Sequence, residues 1–196
     1  MNHVPFDPSK AVTFDLARGL VQQEGAPSGL IVPAAALAAL AHAAGPEASR
    51  TFARAVGEAI GRRVALRLAA ADGVRAAGAG AVVEHLGGEL AITGLGSLGL
   101  ERWGRALVLV IDQSPLGEAG DALLESVLAG ALAAALGEPS SSVTVLARDG
   151  GRVRFLVTSR AGIDKVRAWL DEGVAWGDAL VRLHAPTPAT TPRGDA

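Results

Sequence analysis

The sequence predicts an α+β fold in which an antiparallel sheet of two β-hairpins packs against several helices. Two pairs of strand-like apolar runs, each split by a short glycine turn, alternate with longer segments of helical period. Apolar residues make up 49% of the 196, enough for one domain with a substantial core. Alanine carries much of that fraction, 25 glycines come in addition, and aromatics make up only 4% of the chain, so the elements should approach one another closely.

Residues 1–28, with Pro5, Pro8 and Pro27, read as an arm, and residues 29–185 as a single domain. Pro33 suits the first position of a short helix, which stops at Gly45-Pro46. A longer helix follows from Glu47 to about Ala71, where Phe52, Val56, Ile60, Val64 and Leu68 recur at four-residue spacing. Gly57 and Gly61 lie one turn apart in it and cost helix propensity, which close contact with another backbone would offset. Asp72–Gly80 reads as a connection and Ala81–Thr93 as a helix ended by Gly94 and Gly96. Leu98–Trp103 and Ala106–Ile111 form the first hairpin around Gly104. The helix Glu118–Leu136 stops at Gly137, with Pro139 beyond.

In the second hairpin, Val143, Val145 and Ala147 alternate with Thr144, Leu146 and Arg148 before the turn Asp149-Gly150-Gly151. Val153, Phe155 and Val157 then alternate with Arg152, Arg154 and Leu156. Helical segments from Ile163 to Glu172 and from Ala175 to His184 close the domain. Residues 186–196, rich in proline and threonine, are expected to be disordered.

Composition excludes several functions. A formal charge of −2 offers no basic footprint for nucleic acid. The absence of cysteine removes disulfides, thiol nucleophiles and thiolate metal sites, and fits a reducing, cytoplasmic setting. The uncharged stretch Gly25–Pro46 is broken by Pro27 and Pro33 and is too alanine-rich for a membrane span, so no membrane insertion is expected. No two of His3, His42, His85 and His184 share the spacing that puts ligands on one helix face, and no metal or cofactor is expected.

Gly94-Leu95-Gly96-Ser97-Leu98-Gly99 matches G-x-G-x-x-G by letter. A nucleotide site needs a strand before that motif and a helix after it, and here the order is reversed. Ser97 lacks the glycine two positions earlier that a nucleophile elbow requires, and no group of acid, base and nucleophile converges, so no enzyme is expected. Arg148, Arg152 and Arg154 cluster on the polar face of the second hairpin. They could recognise a carboxylate or phosphate, or form a solvated face that discourages edge pairing. Trp103, Trp169 and Trp176 fit either core packing or an interface.

The stretches ALVLVIDQSPL, SVLAGALAAALGEP and VTVLARDGGRVRFLV follow the order strand, N/D-x-S-P turn, apolar helix, Gly-x-Pro exit and hairpin ending in Arg-Phe. With FARAVGEAIGRRVALRL and ITGLGSLGLERWG upstream, residues 47 to 158 resemble the V4R (4-vinyl-reductase) domain, whose fold is shared with the Bet3-type subunits of the TRAPP tethering complex. The resemblance implies a binding or scaffold module with an apolar cavity for a small ligand between sheet and helices. Some V4R domains bind zinc through cysteines near the start of the apolar helix and in the last hairpin. Here Glu125-Ser126-Val127 and Val153 stand in the corresponding stretches, so no ligand set carries over. ARAVGEAIGRRV, the Gly94–Gly96 exit and DALLESVLAGAL also resemble the D subunit of bacterial cellulose synthase, which implies an oligomeric accessory subunit as the alternative.

Self-association, with a dimer favoured, is expected through the helix Glu118–Leu136, which has no charge between Ser126 and Leu136. Leu123, Val127, Gly130 and Ala134 are the candidate self-interface, because an apolar strip opposite the sheet needs a cover. The competing cover is the pair of helices after Gly162. The partner is otherwise a small apolar ligand or another protein.

Overall fold

The computed structural model describes residues 5–24, 28–71, 74–137 and 141–185. In chain order it contains α1 (Pro8–Ala11), β1 (Val12–Asp15), β2 (Leu20–Gln23), β3 (Ser28–Gly29), α2 (Ala34–Ala44), α3 (Pro46–Ala71) and α4 (Val74–Ile92). β4 (Ser97–Trp103), β5 (Ala106–Asp112), α5 (Asp121–Leu136), β6 (Ser141–Asp149), β7 (Arg152–Ser159), α6 (Arg160–Asp171) and α7 (Trp176–His184) complete it.

The two expected hairpins join through their inner strands into one antiparallel sheet of order β4-β5-β7-β6. Both of its faces are covered, which explains why β5 reads as the unbroken run ALVLVI. Leu109 and Ile111 point to one face, with Val143, Val153 and Phe155, and meet Ile60, Leu86, Leu90, Leu124 and Leu128 of α3, α4 and α5. Ala106, Val108, Val110 and Leu156 point to the other, where Val166 of α6 and Ala179 and Leu180 of α7 pack on them.

α3 lies along α5 with almost no space between backbones. A Cβ added at Gly57 would sit 2.0 Å from the Val127 carbonyl oxygen, and one at Gly61 would sit 2.2 Å from that of Ala131. From the opposite side, a Cβ at Gly130 would come within 2.4 Å of the Arg54 carbonyl oxygen. The three glycines therefore form a seam in which each helix replaces side chains of the other with backbone. The four-residue spacing along α3 holds only partly. Ile60, Val64 and Leu68 are buried but Phe52 is 49% exposed. Each four-residue step overshoots a helical turn by about 40°, so by Phe52 the row has rotated out of the core and Ala53 and Gly57 take its place.

The N-terminal segment differs from the expected arm. Asp7 caps α1 by accepting from the Ser9 amide, and β1, β2 and β3 form a small antiparallel sheet. Short strands of mixed polarity carry too weak a period to stand out in sequence. The chain also re-enters a helix at Val74, within the stretch read as a connection, with a non-helical break at Gly78. The expected tail, 186–196, lies outside the described residues.

Candidate functional site

The three arginines singled out in the second hairpin do not form one site. Between Val145 and Ala147 the β6–β7 register shifts by one residue at Leu146. A single extra residue reverses the facing of everything beyond it. Arg148 is thereby brought opposite Val153, on the α5 side, where it pairs with Asp121 (Nε to Oδ2, 2.9 Å) and donates to the carbonyls of Gly117 and Gly150. Arg152 and Arg154 remain on the α6–α7 side. Arg152 grips Asp112 through two bonds of 2.8 and 3.1 Å. Arg154 donates to both Glu101 oxygens, at 3.1 and 3.4 Å, and its guanidinium lies 5.3 Å from the Trp176 ring centroid. Each guanidinium is thus occupied by a carboxylate of its own chain. The indole of Trp103 and the guanidinium of Arg154 hold the Glu101 carboxyl below its ordinary range, and Arg152 does the same for Asp112.

The four positions assigned to a self-interface are spent inside the chain. Leu123, Val127 and Gly130 are buried, and Ala134 is half-buried where a Cβ at Gly61 would meet its side chain at 2.9 Å. α3 lies over this face, while the competing cover, α6 and α7, packs on the far side of the sheet. Of the tryptophans, Trp169 and Trp176 border that second core, and Trp103 packs edge-on to Trp176 with ring centroids 4.6 Å apart.

The glycine-rich motif leads from α4 into β4, with Gly94 at φ +73° and Gly96 at φ +124° making the turn. No helix N-terminus follows it, and Ser97 begins an exposed strand end. Among the described residues no group of three or more His, Asp or Glu is placed to hold a metal ion. One helical stretch among the described residues, Glu118–Leu136, is long and apolar enough to cross a membrane, and it contains the core helix α5, which lies under α3.

A concave site lies where α2, the first turn of α3 and the start of α5 converge. This cleft has a volume of about 360 Å³ and walls formed largely by Ala38, Ala41, Leu116, Ala122 and Leu123. Its polar groups are few: His42 at the end of α2, Arg50, and Ser49, whose Oγ lies 2.6 Å from the Ala41 carbonyl oxygen and 2.7 Å from that of Gly45. Gly45, at φ +83°, turns the chain sharply between α2 and α3, and Ser49 ties the two helices together across that turn. The size and lining suit a small, mainly apolar molecule. Of these wall residues only Leu123 was singled out from sequence, and for a self-interface rather than a cleft, because alanines of one helix become a wall only when another helix stands opposite.

A second feature, also missed, is a charged group between α3 and α4. Glu89 is fully buried and accepts from Arg63 (Nε, 2.8 Å) and from Arg67. Arg67 reaches outward to Glu24 at 3.0 Å. The available signal was an arginine pair one turn apart, with Arg63 directly beside the core position Val64, and a glutamate between the apolar Leu86 and Leu90.

No family model matches the chain, and no curated protein matches it. Among solved structures, the chain is similar to the phenol-responsive sensory domain of the transcription activator PoxR, crystallised with phenol. The TM-score is 0.59 at 16% identity, over 91% of this chain and 94% of that one. The protein therefore shares the α+β fold of that sensory domain. The likeness gives no support to the alternative of a cellulose synthase accessory protein.

Proposed function

We propose that this protein is a non-catalytic sensory module that binds a small, mainly apolar molecule in the cleft between α2, α3 and α5. The observation that carries the reading is the cleft itself, concave and apolar with a few convergent polar groups, in a fold shared with a phenol-responsive domain. Kinship with V4R domains is part of this reading and rests on the order of strand, turn, apolar helix and hairpin. So is a cytoplasmic location, which rests on the cysteine-free composition. The cleft replaces the sheet–helix cavity implied by that resemblance, because Leu109, Ile111, Phe155, Leu124 and Leu128 meet there with no exposure. Isothermal titration of the full chain with phenol, toluene and indole tests it. At least one should bind saturably, and Ala38→Trp, which places a large ring in the cleft, should weaken that binding at least about tenfold with unchanged melting. Binding indifferent to Ala38→Trp would remove the cleft as the site. A panel with no saturable binder would remove the sensory reading.

A further inference from the structure

The phenyl ring of Phe6 lies in a slot on the outer side of α3 and α4, away from the cleft. Its floor is Gly88, where an added Cβ would come within 2.3 Å of the ring, so only glycine admits it. The Arg67 guanidinium stands 5.1 Å from the ring centroid, in cation–π range, and the His85 ring meets it edge-on at 6.0 Å. Behind these walls lies the Arg63–Glu89–Arg67 group. One donor there is unused: Arg67 Nη2 is buried and has no hydrogen-bond acceptor among the described residues. A phenyl ring cannot supply one.

We propose that this slot is a second binding site, for a small planar aromatic molecule bearing an acceptor oxygen, and that Phe6 is its built-in occupant when no such ligand is present. Planarity is required because the seat is that of a flat ring, in contact with the Gly88 backbone and with the Arg67 guanidinium over it. The oxygen is required by Arg67 Nη2, whose satisfaction distinguishes the ligand from the ring it displaces; one such bond is worth about tenfold in affinity. A neutral acceptor fits better than a carboxylate, because the positive charges of Arg63 and Arg67 are already met by Glu89 and Glu24. The occupant is held lightly. The Phe6 amide donates to Glu84 Oε1 at a long 3.3 Å, and the element behind it, α1, is four residues long. A tethered ring competes at an effective concentration of about millimolar, so the site should bind weakly until the tether lets go.

The experiment places 4-fluorophenylalanine at position 6 of the full chain and titrates it with benzamide, a planar ring with a neutral carbonyl. The position-6 fluorine resonance should move saturably towards its solvent-exposed value, whereas cyclohexanecarboxamide, which has the carbonyl but no flat ring, should leave it in place. Phe6→Ala should raise benzamide affinity about tenfold, and Arg67→Lys should lower it by a similar factor. Ala38→Trp should change neither, which keeps failure of this site separate from failure of the cleft. Benzamide that saturates without moving the position-6 resonance overturns the proposal. So does a folded Phe6→Ala protein that binds no more tightly than wild type. Should Phe6→Ala fail to fold, the fluorine titration of the otherwise unaltered chain decides alone.

Discussion

Replacing Gly57 by alanine adds one methyl group to a 26-residue helix. In an isolated helix the change stabilises by about 1 kcal/mol. In this protein the methyl would lie 2.0 Å from the Val127 carbonyl oxygen, 2.8 Å from its carbon and 3.0 Å from the Ala131 amide nitrogen. All three obstacles are backbone, so no rotamer change relieves them, and α3 and α5 must part by about 1 Å. A gap of that size forfeits roughly a quarter to a half of each van der Waals contact across it. The contacts at stake join Ala53, Ile60 and Val64 to Val127, Leu128 and Ala131, all essentially without exposure. Overpacking costs about 1–3 kcal/mol, a clash with backbone alone falls at the upper end of that range, and the gain in propensity offsets about 1 of it. The expected net loss is about 1–2 kcal/mol, or several degrees in melting temperature at this chain length. Urea unfolding followed by circular dichroism measures it, with Gly87→Ala as the control. That glycine also lies within a helix, but its added Cβ would have 3.4 Å to the nearest atom, the Leu98 carbonyl oxygen. It should be neutral or stabilising by up to about 1 kcal/mol. A Gly57→Ala protein as stable as wild type would refute the close seam.

Three further outcomes follow from the same geometry. Gly150→Val should destabilise by about 1–2 kcal/mol because φ is +56° there, whereas Gly151→Val should be tolerated, having no such φ and open space around it; melting curves compare the two. Ala134→Glu should cost more than about 2 kcal/mol, since the carboxylate must enter the α3–α5 seam beside Gly61; a folded variant of wild-type stability would mean that α3 does not cover this face. Glu101→Gln should flatten the acid limb of stability. Its folded pKa is depressed below the ordinary 4.5, chiefly by the Trp103 indole and then by Arg154, so its contribution is present above about pH 4.5 and lost as pH falls through the lower folded value. Urea midpoints taken from about pH 6 down to about pH 3 should fall less steeply in the variant.

The legible parts of the fold were those encoded locally. Both hairpins, the helix ends at Gly45 and Gly137, and a close backbone neighbour for Gly57 and Gly61 all follow from short-range period and glycine placement. The failures share a cause of another kind. The bulge at Leu146 leaves no mark in composition, yet it moves Arg148 to the opposite face from Arg154 and dissolves the expected arginine cluster. The uncharged helix correctly signalled that both of its faces need cover, but which segment supplies it is a tertiary fact. α3 does so with glycines that read, in sequence, as mere weaknesses of a helix.

The seam also bears on how the cleft could respond to an occupant. Of its walls, α3 and α5 cannot separate without losing the contacts at Gly57, Gly61 and Gly130. α2 is bound differently: none of its residues is fully buried, and only Ala34, Leu37 and Ala41 pack against the core. Leu40 is 65% exposed on its outer side. Between α2 and α3 stand the Gly45 turn and the hydroxyl of Ser49. A molecule entering between these walls therefore meets two that are fixed to each other by backbone contact and one that is held by a single face and a hinge. The compliant wall is α2, and on the proposed reading an occupant of the cleft would displace this helix before it parted α3 from α5.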